Sequence, residues 1–361
     1  MSDEHDSSPL KNLDASRPHD ALFKFTFSKP RHAEAELRAL LPTEIIALAD
    51  FTQLEVLPGE FIDEELRGSQ SDLLIKLPLQ GEGESESMFV HLIFEHQSTF
   101  DPWLPLRLLK YMTRVLDRVR RDTPNVHRVP PVLPVVLYHG DSVFQPIVRF
   151  ASLYALDEAK RAVLTPHLLD FAIRVDDLTS QTSHALSRRA DANAFVRLVL
   201  FMLKRARRAE DLLLELSGWV DTLQALEHEA ELNEVAASLF WYAYLVADVL
   251  PSHIRDILEE ARTPTLKDLA MTTAERLRRE GHAEGKAEGE AKGKAEGKAE
   301  GKAEGRAETL LKLLALRFGD VPDGVLAKIE SASRRADLAL LDRWVERVLD
   351  AQSAEYVVAP D

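Results

Sequence analysis

SDLLIKLPL (71–79), QGEGESES (80–87) and MFVHLIFEHQS (88–98) form the stretch on which the fold turns. Two runs rich in Leu, Ile, Phe and Val flank a Gly/Glu/Ser segment, the pattern of a β-hairpin. The second run is almost continuously apolar, which predicts a strand covered on both faces. Asp72 opens the first strand, and Glu95 and Gln97 close the second. Strand alternation puts Glu95 and Gln97 on one face. A hairpin centred between Gly83 and Glu84 sets Asp72 directly opposite Glu95, with Cβ atoms about 5 Å apart. Two carboxylates so placed at the end of an apolar sheet are costly unless a positive charge lies between them. A divalent metal ion would supply that charge. Solvation of polar strand ends is the other reading, and spacing alone leaves both open.

Outward from the hairpin, five segments follow in order: HDALFKFTF (19–27), FIDEELRGSQSDLLIKL (61–77), EHQS (95–98), PLRLLKYM (105–112) and LPVVLYHG (133–140). Together they resemble the Rpn family of recombination-promoting nucleases and transposase-like proteins, within the PD-(D/E)XK nuclease superfamily. The resemblance covers roughly residues 18–140. It implies an α/β, restriction-endonuclease-like core, a mixed central sheet flanked by helices. It also implies a metal-dependent DNA endonuclease that hydrolyses phosphodiester bonds, linked to DNA recombination or mobile elements, with Mg²⁺ or another divalent cation as cofactor. On this resemblance Asp72, Glu95 and Gln97 are catalytic, and Asp72, Glu95 and the backbone carbonyl of His96 hold the metal. Asp20 and Lys24 fall on the helix that flanks the family's active site and rank second; helix capping is the competing role for Asp20. Gln97 stands where the superfamily usually carries lysine and brings hydrogen-bond donors without charge. A catalytically weakened DNA-docking or assembly protein that keeps the nuclease fold is therefore the alternative. The tryptophan that relatives carry shortly after the last motif's glycine is replaced by Asp141-Ser142-Val143-Phe144. A complete transposase fits less well, because no helix-turn-helix or zinc module is legible for recognising element ends.

Composition narrows the classes. The 361 residues have room for two or three domains. Sixty acids against 45 bases give a net charge of −15, which argues against a surface coated for generic nucleic-acid binding. Contact with DNA then has to be local, through a basic patch or a metal bridge. The chain has no cysteine, which fits a cytoplasmic setting and leaves oxygen ligands for a metal. No apolar run reaches the roughly 18 residues of a membrane span. The acidic start, MSDEHDSSPLKNLD, is unlike a secretory signal.

Taken in order, residues 1–17 read as a disordered lead-in and 18–150 as the nuclease core. Helices are expected from Pro18 and over about residues 31–41, a strand within Phe51–Leu57, a long helix from Asp101-Pro102 to about Asp122, and a buried strand over Val132–Tyr138. On the long helix Arg107, Tyr111, Arg114, Arg118 and Arg121 recur at steps of three and four, a row suited to DNA phosphates. Solvated pairing with nearby acids is the preferred role for Arg118 and Arg121. The family motif favours phosphate contact for Arg107 and Tyr111, and Arg114 lies between the two groups.

Residues 151–280 have helical periodicity and form an extension; its basic cluster Lys204, Arg205, Arg207 and Arg208 suits helix-end charge compensation as well as DNA. In residues 281–308 glycine recurs every fourth position: GHAE, GKAE, GEAK, then GKAE three times and GRAE. Each glycine costs a helix about 1 kcal/mol against alanine, and the period stacks like charges at i,i+4. A tether or a marginal helix is expected. Residues 309–351 form a small amphipathic module that resembles the helical tail often appended in the family. Its Leu310, Leu313, Leu314 and Trp344 suggest a homodimer formed through the tail.

Overall fold

The structure, a computed structural model, describes residues 13–57, 72–80, 87–95, 101–125, 128–140, 148–189, 192–205, 208–229 and 231–359; at 72, 94 and 95 it describes backbone alone. Two helices open it, α1 (Pro18–Phe27) and α2 (Pro30–Leu40). Each begins on proline, whose missing N–H costs nothing in a first helical turn. A short α3 (Thr43–Leu48) and a 3₁₀ turn at Phe51–Gln53, capped by Asp50, lead into β1 (Glu55–Leu57). Then come β2 (Asp72–Pro78), β3 (Ser87–Glu95), α4 (Leu104–Asp122) and β4 (Val132–Tyr138). After α5 (Glu158–Leu164) the chain adds β5 (Arg174–Asp177).

These strands make one five-stranded sheet in the order β1-β2-β3-β4-β5. The first two pairings are antiparallel and the last two parallel. The α4 helix is the crossover that a parallel β3–β4 pair requires. Every described side chain of β3 from Met88 to Ile93 is buried, as its continuous apolar run predicts. One face carries Leu74, Phe89, Ile93, Val136 and Tyr138, clustered with Leu104, Leu108, Tyr111 and Val115 of α4.

Two features depart from the sequence expectations. The hairpin pairs Asp72 with Ile93 and Pro78 with Ser87, so its centre lies between Glu82 and Gly83. Position 72 is therefore diagonal to position 95 rather than opposite it. The turn QGEGESES has no Asn-Gly-type signal to fix its centre, and the apolar pairs Leu73–Leu92, Ile75–Val90 and Leu77–Met88 set the register. A slip of two conserves parity, so positions 72 and 95 stay on the same face. The second departure is β5, which joins the sheet from a stretch read as helical. Its four residues, RVDD, form an edge strand too short for a period-2 pattern.

The extension continues with α6 (Ser183–Ser187), α7 (Ala194–Arg205), α8 (Ala209–Leu216), α9 (Val220–Leu226), α10 (Leu232–Val246) and α11 (Pro251–Glu260). It is tied to the sheet by a buried ion network. Arg189, just after α6, reaches Asp176 of β5 at 2.8 Å and Glu36 of α2 at 3.1 Å. Gln181 donates a further hydrogen bond to Asp176. One guanidinium faces two carboxylates here. Burial pushes the fully buried Glu36 carboxyl up to about 8, against the pull of Arg189 and with help from Asp176. Burial thus favours the protonated form of Glu36.

Contact density divides the chain at Arg276/Leu277. The glycine repeat lies inside one helix, α12 (Pro264–Phe318). The second unit adds α13 (Asp323–Arg334), α14 (Leu338–Arg347) and α15 (Ala354–Val357). Leu310, Leu314 and Trp344 are buried in this unit's own core with Val325, Ile329 and Leu341. The surface expected to be shared between two tails is thus covered within one. No helix among the described residues is long and apolar enough to cross a membrane.

Because Glu36 binds its proton more tightly folded than unfolded, its contribution to stability is complete below the unfolded carboxyl value of about 4.5 and lost as pH rises toward 8. Glu36→Gln fixes the neutral form. Urea unfolding of both proteins between pH 5 and 8.5 should show the parent losing stability relative to the variant by up to about 1.4 kcal/mol per pH unit. Parallel pH profiles would contradict this.

Candidate active site

The C-terminal ends of β3 and β4 are the part of the sheet where polar residues gather. Glu95 pairs in parallel register with Tyr138, and Asp72 pairs with Ile93. Positions 72 and 95 share the parity of Ile93, on the face covered by α4. As diagonal neighbours they stand roughly 7–8 Å apart, a span that one cation with two oxygen donors can bridge. Leu104 and Leu108 cluster with Ile93, Val136 and Tyr138, so the first turns of α4 lie over these strand ends. His96 and Gln97 lie outside the described residues.

The α4 row divides. Arg107, in the second turn, is one-third exposed and pairs with Asp101 at 3.4 Å. Tyr111 is a core residue, 3% exposed and stacked on His91 with ring centroids 4.1 Å apart. It is not part of an exposed row with the arginines. Its position satisfies the phosphate spacing and the core spacing equally, and apolar burial decides between them. Arg114 is half-buried, with Nη1 inside the protein. Arg118 pairs with Asp122 at 2.7 Å, the pairing with a nearby acid expected of that end, whereas Arg121 donates to the Asp117 backbone carbonyl.

On the opposite face, α1 meets the same sheet end. His139 follows Tyr138, and its ring lies 5.2 Å from that of His19. His19 Nδ1 is 2.6 Å from the Tyr242 hydroxyl of α10. Asp20, in the first turn of α1, is 7% exposed, and Lys24 one turn on is half-buried. The helix N-terminus favours the Asp20 carboxylate. The structure thus brings Asp20 and its neighbour His19 to the end of β4, beside the strand that ends in Glu95. Reading from sequence overlooked His19, His139 and Tyr242. The first two sit inside the quoted motifs beside Asp20 and Gly140. Tyr242 is a fully buried aromatic of α10.

The basic cluster of α7 is consumed internally. Lys204 donates to the Leu178 and Thr179 carbonyls, Arg205 pairs with Glu215 and Arg208 with Asp211. Arg207 lies outside the described residues.

The family described as "Putative transposase, YhgA-like" matches residues 17–234. Among curated proteins, the chain is 30% identical over 271 residues to "Inactive recombination-promoting nuclease-like protein RpnE" of Escherichia coli K12, covering 74% of this chain and 83% of that one. It is 29% identical over 279 residues to "Recombination-promoting nuclease RpnA" of the same strain, covering 75% and 87%. It is 27% identical over 272 residues to "Recombination-promoting nuclease RpnD" of Escherichia coli O157:H7, covering 74% and 96%. No solved structure matches it.

Gly140 holds the strand end in shape. A Cβ at that position would run into the hydroxyl and ring of Tyr138, itself 1% exposed and unable to swing away. Gly140→Ala should therefore cost about 1–3 kcal/mol of stability through overpacking, read by urea unfolding. An unchanged midpoint would show that Tyr138 is not fixed there.

Proposed function

The chain belongs to the YhgA-like transposase family, and from that premise we propose that it is a metal-dependent DNA endonuclease of the PD-(D/E)XK type, acting in DNA recombination. The support comes from the hairpin. Positions 72 and 95 carry carboxylates, share a face and lie at the end of a strand pair whose other residues are mostly apolar. Isolated charges there would be costly. Relatives that match over most of their own length are named recombination-promoting nucleases.

In this reading Asp72 and Glu95, with the His96 carbonyl, hold Mg²⁺ through oxygen, the donor type that hard cations take. When bound, the ion supplies phosphate-charge neutralisation and a water of lowered pKa. Gln97 donates a hydrogen bond to the attacking water or to the phosphate. Asp20 and Lys24 act from α1, the carboxylate by orienting and the ammonium by offsetting charge. Arg107 and Arg114 take strand phosphates along α4. The buried Tyr111 serves by seating that helix on the sheet rather than by touching DNA.

The second reading is a DNA-docking protein with the fold but weakened chemistry. Gln97 in the lysine position favours it, and so does a relative named inactive. The two readings part on cleavage. With Mg²⁺ and plasmid DNA the parent should nick or cut, chelation should stop it, and Asp72→Ala and Glu95→Ala should each lower the rate by at least about 100-fold. Equal cleavage by all three proteins would overturn the endonuclease assignment. No cleavage by any of them would favour the docking reading.

A further inference from the structure

The helical extension carries a cleft that the proposed reaction does not use. It has a volume of about 430 Å³ and lies where the end of α6, the middle of α7 and the start of α9 meet. Arg188, Arg197, Trp219, Asp221 and Thr222 line it. Arg197 is out of place on its own helix. The residues around it, Phe195, Val196, Leu198 and Val199, are fully buried or nearly so, and α7 is otherwise a core helix. The guanidinium Nε of Arg197 is buried without a hydrogen-bond partner among the described residues. A buried donor left so costs roughly 1–3 kcal/mol.

The surroundings make the omission specific. Three neighbouring cations that are buried or partly buried are answered: Arg189 by Asp176 and Glu36, Lys204 by two carbonyls, Arg205 by Glu215. Acids outnumber bases by 60 to 45 in this chain, so an arginine without a carboxylate is not a matter of supply. Arg188, exposed on the rim, makes no ion pair among the described residues either. Trp219, its ring tilted against Phe201, gives the lining an apolar element, and Thr222 adds a hydroxyl. Two guanidinium forks over a polar cleft suit an anion with three or four acceptor oxygens better than a carboxylate with two. Asp221 is the one acid in the lining, so the cleft keeps a net positive charge.

We infer that this cleft is a phosphate-binding subsite, with Arg197 holding the anion from within and Arg188 from the rim. The phosphate chemistry stands on the cleft alone. That the phosphate belongs to a DNA strand rests on the nuclease reading, and a free phosphate is the other source.

The test uses the full chain in chelator, so that no metal site contributes. Binding to a labelled duplex is measured across a salt series, and binding of inorganic phosphate by calorimetry, for the parent, Arg188→Gln, Arg197→Gln and Arg197→Lys. For a strand phosphate, each glutamine variant should weaken duplex binding several-fold and reduce the slope of log K against log salt by about 0.9. Arg197→Lys should keep most of the slope. Loss of inorganic phosphate binding in both glutamine variants, with duplex binding unchanged, supports the subsite and assigns it to a free phosphate. Parent-like binding of both ligands by both glutamine variants would overturn the inference, as would a parent that binds neither. If Arg197→Gln does not fold by circular dichroism, the exposed Arg188→Gln decides. Failure of the nuclease reading would show separately, as cleavage that survives Asp72→Ala, and leaves these titrations unaffected.

Discussion

A strand covered on both faces cannot hold an ionised side chain in its middle, and β3 is such a strand. Its described residues from Met88 to Ile93 are all buried, with β2 and β4 hydrogen-bonded to its two edges. The one polar side chain within that run, His91, is accommodated as a ring stacked on Tyr111. Charge is therefore confined to the strand's ends, and the sequence places it at the C-terminal one. The rest of the core follows from this. The parallel β3–β4 pair forces a crossover, α4 supplies it, and the first turns of α4 come to lie over the strand ends. From the other face α1 brings His19 and Asp20 to the end of β4.

The extension is joined to this core by polarity as well as by packing. Arg189, Asp176 and Glu36 come from three elements and are all buried. Removing one member of such a network leaves an uncompensated buried charge, which costs far more than the intact network contributes. The arrangement therefore specifies how α2, β5 and the turn after α6 meet. Arg197 contrasts with it. It is a half-buried guanidinium on a core helix, and it makes no ion pair among the described residues.

Much of this was legible in the sequence, and the failures have physical causes. The long apolar runs of β3 and β4, the proline starts of α1 and α2 and the stripe of α4 were readable because each element repeats its own signal. The hairpin centre was misplaced by one residue, and the cross-strand register by two, because a turn of Gly, Glu and Ser suits several centres equally and cross-strand packing decides the register. β5 was missed because four residues at a sheet edge give no periodic pattern. Tyr111 was assigned to a phosphate-facing row because an aromatic at helical spacing fits a core stripe and a surface row alike. The glycine repeat is helical in the structure although local propensity opposes it. It propagates between two ends that have buried anchors, Leu266 and Ala270 before it and Leu310 and Leu314 after it, so it need not nucleate by itself. Positions 72 and 95 were expected on one face from spacing, and that parity survived the register error. The contact between His19 and His139 was not expected, because it arises only when α1 packs against the end of β4.

The central claim is that positions 72 and 95 form one cation site. Calorimetric titration with Mn²⁺, in the absence of DNA, tests it most directly. The account predicts a single site in the parent that is lost in Asp72→Ala and lost equally in Glu95→Ala, because neither carboxylate suffices alone. Mn²⁺ affinity that is unaffected by Glu95→Ala would contradict it.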